Sequence, residues 1–496
     1  MTGTPVMSLF DPDSIRPALA ANFIGGVPVV GRGQSFMVTR PSDGALLGEL
    51  RSADMQQLAD AVENAALAQK ASGWGTMEPR GRMRLLRRWA DLIETDAETL
   101  ASLEAAGSSR TLNEVRAWDL PYTAECIRFF AEFADKHGGE IGATTPDKLG
   151  FTLTEPYGVV GAIAPWNLPL VMAAWKLGPA LAAGNAVVLK PSELTPFSVV
   201  RLAELAVAAG IPAGVFNVVQ GGGADIGDAL VRHTRIGKVS FTGSTRTGRA
   251  IMAACAETGP KPSTLELGGK SPQLVFADAD LAKASALVAR AITLNAGQVC
   301  VAGSRLLVQD KVRDEVVDRL TAAFEAHHLG ATWDQGTTMG PIISEGQLAQ
   351  IDGIVQRART AGAEAMTGGA RATSPQSGSY YQPTLLANVA ADSEAVQGEI
   401  FGPVLTVQSF ADEEEAIALA NGTAYGLAAG VHTTDISRAL RAVRGLEAGT
   451  IWVNRYGRSD DFILPTGGFK QSGVGKDLGR DAYLASCKIK TALIQI

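Results

Sequence analysis

Cysteine is scarce in this chain. Among 496 residues there are four: Cys126, Cys255, Cys300 and Cys487. Their wide spacing matches neither a zinc knuckle nor a disulfide framework. Reduced thiols are therefore expected, and with them a cytoplasmic setting. Long apolar runs are missing as well, since none reaches transmembrane length. The stretch 1–16 has no basic region leading into an apolar run and a cleavage site, so no secretory leader is expected. No basic patch stands out. The 44 Lys and Arg are scattered among 51 Asp and Glu and leave a formal net charge of −7. Neither nucleic acid nor a membrane surface is an expected partner. Internal repeats, low-complexity segments and long linkers are absent, and so is the Gly-x-Gly-x-x-Gly phosphate fingerprint.

What remains is a chain long enough for two or three domains. Its hydrophobic content of 46% allows sizeable cores, and 55 Gly with 23 Pro imply many tight turns. The segment 23–50 is expected to form two short strands, turning at Gly25-Gly26 and Ser42-Asp43-Gly44. Asp54 is placed to cap a helix reaching 72, with Gln57 in the reciprocal position. Further helices are expected after Pro79 and over 114–136. Tyr122, Ile127, Phe129, Phe130 and Phe133 of the latter read as core or subunit contact. A strand pair is expected over 141–154 and a strand over 488–496. From 157 onward strands alternate with helices, the strands falling at 159–164, 186–189, 216–219, 238–241 and 263–266. This alternation predicts a doubly wound parallel sheet. A second series over 274–453, with strands near 305–308, 404–410, 430–433 and 450–453, predicts a second α/β domain.

Several segments carry chemistry. Leu265-Glu266-Leu267-Gly268-Gly269-Lys270 sets a carboxylate beside two glycines, and Gly297-Gln298-Val299-Cys300 sets a cysteine in a small-residue turn. A thiolate nucleophile needs a nearby base and an uncrowded approach, which this pair could supply. A lone cysteine is otherwise more often buried and inert, and that reading is kept for Cys126, Cys255 and Cys487. Ala164-Pro165-Trp166-Asn167 follows a strand end. The Asn167 amide there suits an oxyanion donor, or a brace for a Pro-rich turn. Lys190-Pro191-Ser192-Glu193 follows the next strand and could reach a ribose, or form a solvated charge pair. Phe241-Thr242-Gly243-Ser244-Thr245 joins a strand to a helix. Free N–H groups at that helix start suit a pyrophosphate, although such a turn can also be a plain cap.

Taken together, these segments resemble the aldehyde dehydrogenase family, in the family's order, from near Phe23 to near Leu493. The resemblance implies an α/β fold: a doubly wound parallel-sheet cofactor domain, a second α/β catalytic domain and a small β oligomerisation arm. The implied boundaries are 1–137 and 157–266 for the NAD-binding domain, 267–480 for the catalytic domain, and 138–156 with 481–496 for the arm. It implies Cys300 as nucleophile, Glu266 as general base and Asn167 as oxyanion donor. Trp166, Lys190, Glu193, Gly243, Ser244, Leu267, Gln347, Glu399 and Phe401 are the implied NAD contacts. Glu193 would repel a 2′-phosphate, so NAD is favoured over NADP. Lys176 and Asp477 are implied in proton movement to the base, with Asp477 one methylene shorter than the Glu of many relatives. The glycine-rich turn 465–473 is expected to be structural. Trp175, Trp452 and Arg458 are candidate walls of the aldehyde site, and no metal is expected.

The implied partners are a small-molecule aldehyde and further copies of the chain, as a homodimer or homotetramer. The resemblance is to the hydrolytic, broad-substrate branch acting on betaine-type, aminobutyraldehyde-type and other ω-substituted aldehydes. Two alternatives stand beside it. One is a CoA-acylating semialdehyde dehydrogenase, a class that lacks the base at the Glu266 position. The other is a non-catalytic binding or structural protein that retains the fold.

Overall fold

A computed structural model describes residues 7–17, 21–457 and 462–496. Arg458, one of the candidate wall residues, lies outside the described residues.

The strand at Ala186–Lys190 is buried along its whole length. Such a strand is covered on both faces, as expected in the middle of a parallel sheet flanked by helices. It lies between Val159–Ile163 and Phe216–Val218, parallel to both. Ile236–Thr242 and Ser263–Glu266 continue the parallel set beyond Val159–Ile163. Short antiparallel strands close the two edges, Asn22–Ile24 with Val27–Val29 on one side and Gly473–Val474 on the other. The last of these brings a late segment of the chain back to the strand that ends in Glu266.

A second sheet runs in the order Glu364–Thr367, Thr384–Ala387, Val404–Phe410, Arg305–Gln309, Pro272–Val275, Ala428–His432, Thr450–Val453. All its pairings are parallel except the first. A third, small sheet pairs Cys487–Gln495 antiparallel with Lys148–Pro156, and the latter with Ile141–Gly142. It leaves Ile141, Leu153, Ile489, Leu493 and Ile496 exposed.

The helix Met55–Ala71 has the expected reciprocal cap between Asp54 and Gln57, and buries Leu58, Ala61, Val62 and Ala65. Four details differ from the sequence expectations. The region read as two strands holds four: Asn22–Ile24, Val27–Val29, Ser35–Thr39 and Leu46–Arg51. The helix expected over 114–136 begins as Leu112–Glu114, widens into a π-type turn at Val115–Asp119, and continues as Leu120–Phe133. Pro121 accounts for the break, because it has no N–H to donate and its ring crowds the preceding turn. The helical connection expected between the strands at 216–219 and 238–241 likewise opens with a wide turn, Gly223–Gly227, before Asp228–Arg232. A further helix, Ala97–Gly107, was not anticipated.

Candidate active site

The strand Val159–Ile163 ends at Ala164, whose N–H donates to the carbonyl of Lys190 on the neighbouring strand (3.1 Å). The chain then turns through 165–168 into the helix Pro169–Ala182, which is buried throughout. Proline at the first helical position suits this entry, since no N–H is needed there. Asn167 is thereby fixed at the carboxyl end of the sheet and is buried. Its amide donates to the carbonyl of Gln298 (2.9 Å), and its own carbonyl accepts from the Asn295 amide (2.9 Å).

These bonds tie Asn167 to the turn that carries Cys300. In that turn Asn295, Ala296 and Gly297 all have positive φ, at 50°, 51° and 73°. L-residues rarely hold this conformation, so the surroundings must enforce it. Gln298 is the enforcing side chain. It is fully buried, donates to the carbonyls of Asn295 (3.0 Å) and Pro341 (3.1 Å), and accepts from the Ile343 N–H (2.9 Å). The Asn295 side chain accepts from the Ser109 hydroxyl (3.0 Å). Sequence reasoning did not single out Asn295. Its place before Ala-Gly was the available signal, because Asn tolerates left-handed backbone better than most residues.

The glycines after Glu266 bring the two motifs together. A Cβ on Gly269 would lie 2.4 Å from the Cys300 carbonyl oxygen, and one on Gly268 would lie 2.4 Å from a Glu399 carboxylate oxygen. Any side chain at either position would push the cysteine turn or Glu399 away. Glu266 itself is buried. A Cβ on Gly467 would meet its Oε1 at 2.8 Å, and the Ser472 carbonyl accepts from the Leu267 N–H (2.9 Å). The glycine-rich turn expected to be structural thus forms the floor under Glu266.

Two cavities meet at Cys300. One, of about 500 Å³, is lined by Trp166, Asn167, Gly243, Ser244, Glu399 and Phe401, among others. The other, of about 230 Å³, is lined by Glu266, Trp118, Trp175, Val299, Tyr456 and Arg290, among others. Leu168, Met172, Thr242 and Cys300 belong to both walls.

A model described as "Aldehyde dehydrogenase family" matches residues 29–492. The chain belongs to the aldehyde dehydrogenase family. An aldehyde dehydrogenase of Emericella nidulans is 42% identical over 469 residues, covering 95% of this chain and 93% of the relative. Among solved structures, an indole-3-acetaldehyde dehydrogenase of P. syringae, in complex with NAD+ and IAA, superposes with a TM-score of 0.96 at 39% identity. That match covers 99% of this chain and 100% of the other. A gamma-glutamyl-gamma-aminobutyraldehyde dehydrogenase of Burkholderia cenocepacia superposes with a TM-score of 0.95 at 40% identity, with the same coverage.

The remaining candidate residues of this aldehyde dehydrogenase fall into distinct places. Trp166 and Phe401 meet edge to face, with ring centroids 5.2 Å apart, on the wall of the larger cavity. Gln347 lines that cavity and donates to the carbonyls of Ile400 (3.3 Å) and Phe401 (3.1 Å). It braces the turn in which Phe401 takes a positive φ of 57°. Gln347 therefore sits beside Phe401 and Glu399 on the wall of the larger cavity. Leu267 is also on this wall. Ser244 caps the helix Thr245–Glu257 by accepting from the Thr247 N–H (3.2 Å), and the Gly243 N–H donates to the Glu266 carbonyl (3.0 Å). Lys190 donates to Glu193 (3.2 Å) and to the Pro191 carbonyl (2.8 Å); this pair lies outside the enclosed part of the cavity.

Lys176 and Asp477 form a buried ion pair at 2.5 Å, so the shorter carboxylate does reach the lysine. Lys238 lies near them and donates to Thr264 (2.8 Å), two residues before Glu266. Burial pushes the Lys238 ammonium down to about 8. Trp175 lines the smaller cavity. Trp452 does not reach that wall. It is buried behind Tyr456, ring centroids 5.2 Å apart, with Ala291 and Ala428. Trp118, Arg110, Glu114 and Arg290 line the smaller cavity and were not singled out from sequence. Arg110, Glu114 and Trp118 come from a loop and helix far from the motifs in sequence, whereas Arg290 lies on the helix that leads into the cysteine turn.

Glu399 accepts from the Gly269 N–H (3.0 Å), and burial raises its carboxyl to about 7. The neighbouring Lys270 is fully buried; burial, with Arg305 close by, pushes its ammonium down to about 7. Among the described residues no group of three or more His, Cys, Asp or Glu could hold a metal, and no helix is long and apolar enough to cross a membrane.

Proposed function

We propose that this enzyme oxidises an aldehyde to the carboxylic acid with NAD, through a covalent intermediate on Cys300. The supporting observation is the position of Cys300 at the junction of two cavities, one of which also exposes Glu266. The larger cavity has what a dinucleotide requires. The helix Thr245–Glu257 turns its N-terminal N–H groups toward it, a ready site for phosphate. Gly243 has room for no side chain: a Cβ would lie 2.5 Å from the Phe241 ring. Glu399 offers a carboxylate to ribose hydroxyls and Phe401 a face to a planar ring. Lys190 and Glu193 would take the adenosine ribose, where Glu193 repels a 2′-phosphate.

The thiolate of Cys300 attacks the aldehyde carbon, and the Asn167 amide with the Cys300 N–H holds the developing oxyanion. NAD, when bound, would supply the hydride acceptor; loss of hydride from the carbon bonded to the Cys300 sulfur turns the adduct into a thioester. Glu266 takes a proton from water as it attacks the thioester, and the acid departs. The Lys176–Asp477 pair, behind the base, would carry the proton onward. An aldehyde panel run with NAD and with NADP, each with and without CoA, tests this reading. NADH release independent of CoA, and a higher kcat/KM with NAD, is expected. Acyl-CoA formation would instead favour the acylating alternative, and no reduction with any aldehyde would favour a non-catalytic role.

Affinity for NAD is expected to rise between pH 6 and pH 8. Ribose hydroxyls donate to Glu399, which favours its ionised form, and that carboxyl loses its proton near 7. Lys270 and Arg305 are the buried cations beside it, and Lys270 titrates in the same window. Calorimetry across this range should show the rise in wild type and a flattened profile in Glu399→Gln. An equally steep profile in that variant would remove Glu399 from the cofactor site.

The division into an NAD-binding domain (1–137, 157–266), a catalytic domain (267–480) and an arm (138–156, 481–496) belongs to the same proposal. So does self-association as a dimer or tetramer. Thr450–Val453 and Cys487–Gln495 are sheet edges with backbone groups available for strand pairing, and the small sheet leaves Ile489, Leu493 and Ile496 exposed. A cytoplasmic location is proposed from the scarce, unpaired cysteines.

A further inference from the structure

We propose that Arg290 binds the far end of the substrate and biases this enzyme toward aldehydes that carry a distal carboxylate. The inference rests on the aldehyde reading above and specifies its substrate class.

Arg290 lies in the last turn of the helix Leu281–Thr293, one turn before Leu294. It is exposed, and both residues line the smaller cavity. Among the described residues, four charged side chains reach that wall: Arg110, Glu114, Glu266 and Arg290. Arg110 is committed. It forks onto Asp119 through two bonds of 2.8 Å and pairs with Glu114 at 3.2 Å. Glu114 is committed too. Its Oε2 accepts from the Thr111 hydroxyl (2.9 Å) and the Thr111 N–H (3.3 Å) in a helix cap, besides meeting Arg110. Glu266 belongs to the chemistry at Cys300. Arg290 engages no carboxylate among the described residues.

Among the described residues, the cavity therefore presents one uncommitted charge to a substrate, and it is a cation. The rest of the wall is largely Leu168, Met172, Trp118, Trp175, Val299 and Tyr456. In such surroundings a guanidinium binds a carboxylate through two parallel, charge-assisted hydrogen bonds. An ammonium aldehyde would find aromatic faces there, but also the repulsion of Arg290. A purely structural role exists for an arginine at this place, since a cation favours the C-terminal end of a helix. That role would affect stability and leave substrate choice alone.

The test compares ω-carboxy aldehydes of four to six carbons, n-alkanals of matched length and ω-trimethylammonio aldehydes, in wild type, Arg290→Met, Arg290→Lys and Arg290→Glu. Methionine keeps the apolar stem and removes the charge. In Arg290→Met, kcat/KM for the carboxy substrates should fall about tenfold or more relative to the n-alkanals. The change should lie in KM and not in kcat. Lysine should restore part of the effect, and glutamate should shift preference toward the ammonium series. Binding of the dicarboxylate product to Cys300→Ala enzyme, followed by tryptophan fluorescence, should weaken in parallel. An unchanged carboxy-to-alkanal ratio in Arg290→Met, or a wild-type preference for the ammonium series, overturns the proposal. If no aldehyde at all were oxidised, the reading of the function would fail first, and that outcome is distinguishable.

Discussion

Cys300→Ser abolishes aldehyde oxidation and leaves NAD binding in place: this is the largest effect expected of any single substitution. The side chain changes by one atom, so the turn held by Asn167, Asn295 and Gln298 has no steric reason to move. The chemistry changes twice. A hydroxyl is far less ionised than a thiol near neutral pH, so attack on the aldehyde is slow. The ester formed in place of a thioester is also harder to hydrolyse. A loss on the order of 10³-fold or more in kcat/KM is expected, with the NAD dissociation constant within about twofold of wild type by calorimetry. Cys126, Cys255 and Cys487 are buried, and burial raises the thiol pKa of each. None of them could substitute as a nucleophile. Activity above a few per cent in the serine variant would remove Cys300 from the reaction.

Glu266→Gln should separate the two halves of the reaction. The amide keeps the shape of the side chain over Gly467 and cannot take a proton. Loss of a positioned general base typically costs on the order of 10²–10⁴-fold, and here the cost should fall on hydrolysis. Stopped-flow mixing with excess aldehyde should show a burst of NADH followed by a slow steady state. An added thiol or amine nucleophile should speed the slow phase, because it deacylates the enzyme without needing the base. Burst and steady state falling in equal proportion would mean that Glu266 acts before the thioester forms.

The parts of the fold that sequence reveals share a physical cause. Val159–Ile163, Ala186–Lys190 and Val404–Phe410 lie where the apolar runs place them. Strands covered on both faces need uninterrupted apolar residues, and Gly or Pro marks many of their ends. Val27–Val29 and Ser35–Thr39 escape the same reading because they are mostly exposed and carry no clean alternation. Ala97–Gly107 hides because it follows Thr95 with only Asp96 between two helices, so no stop signal separates them. The site divides in the same manner. Cys300, Glu266, Asn167 and Ser244 lie in short contiguous motifs whose glycines and turns are visible in one dimension. The walls of the smaller cavity are not local. Trp118 approaches Cys300 only because segments far apart in the chain pack there, and the commitment of Arg110 to Asp119 shows only in three dimensions. Trp452 shows the reverse: a plausible wall residue by position, turned into the core behind Tyr456.

The common wall of Leu168, Met172, Thr242 and Cys300 has a pharmacological consequence. A single molecule bound over Cys300 would touch the walls of both cavities. An inhibitor joining a nicotinamide-like head to an aryl tail through a short linker would occupy both compartments. The second half would then bind at an effective concentration set by the linker, in the millimolar range for short flexible ones. Its aryl tail would meet the rings of Trp118, Trp175 and Tyr456.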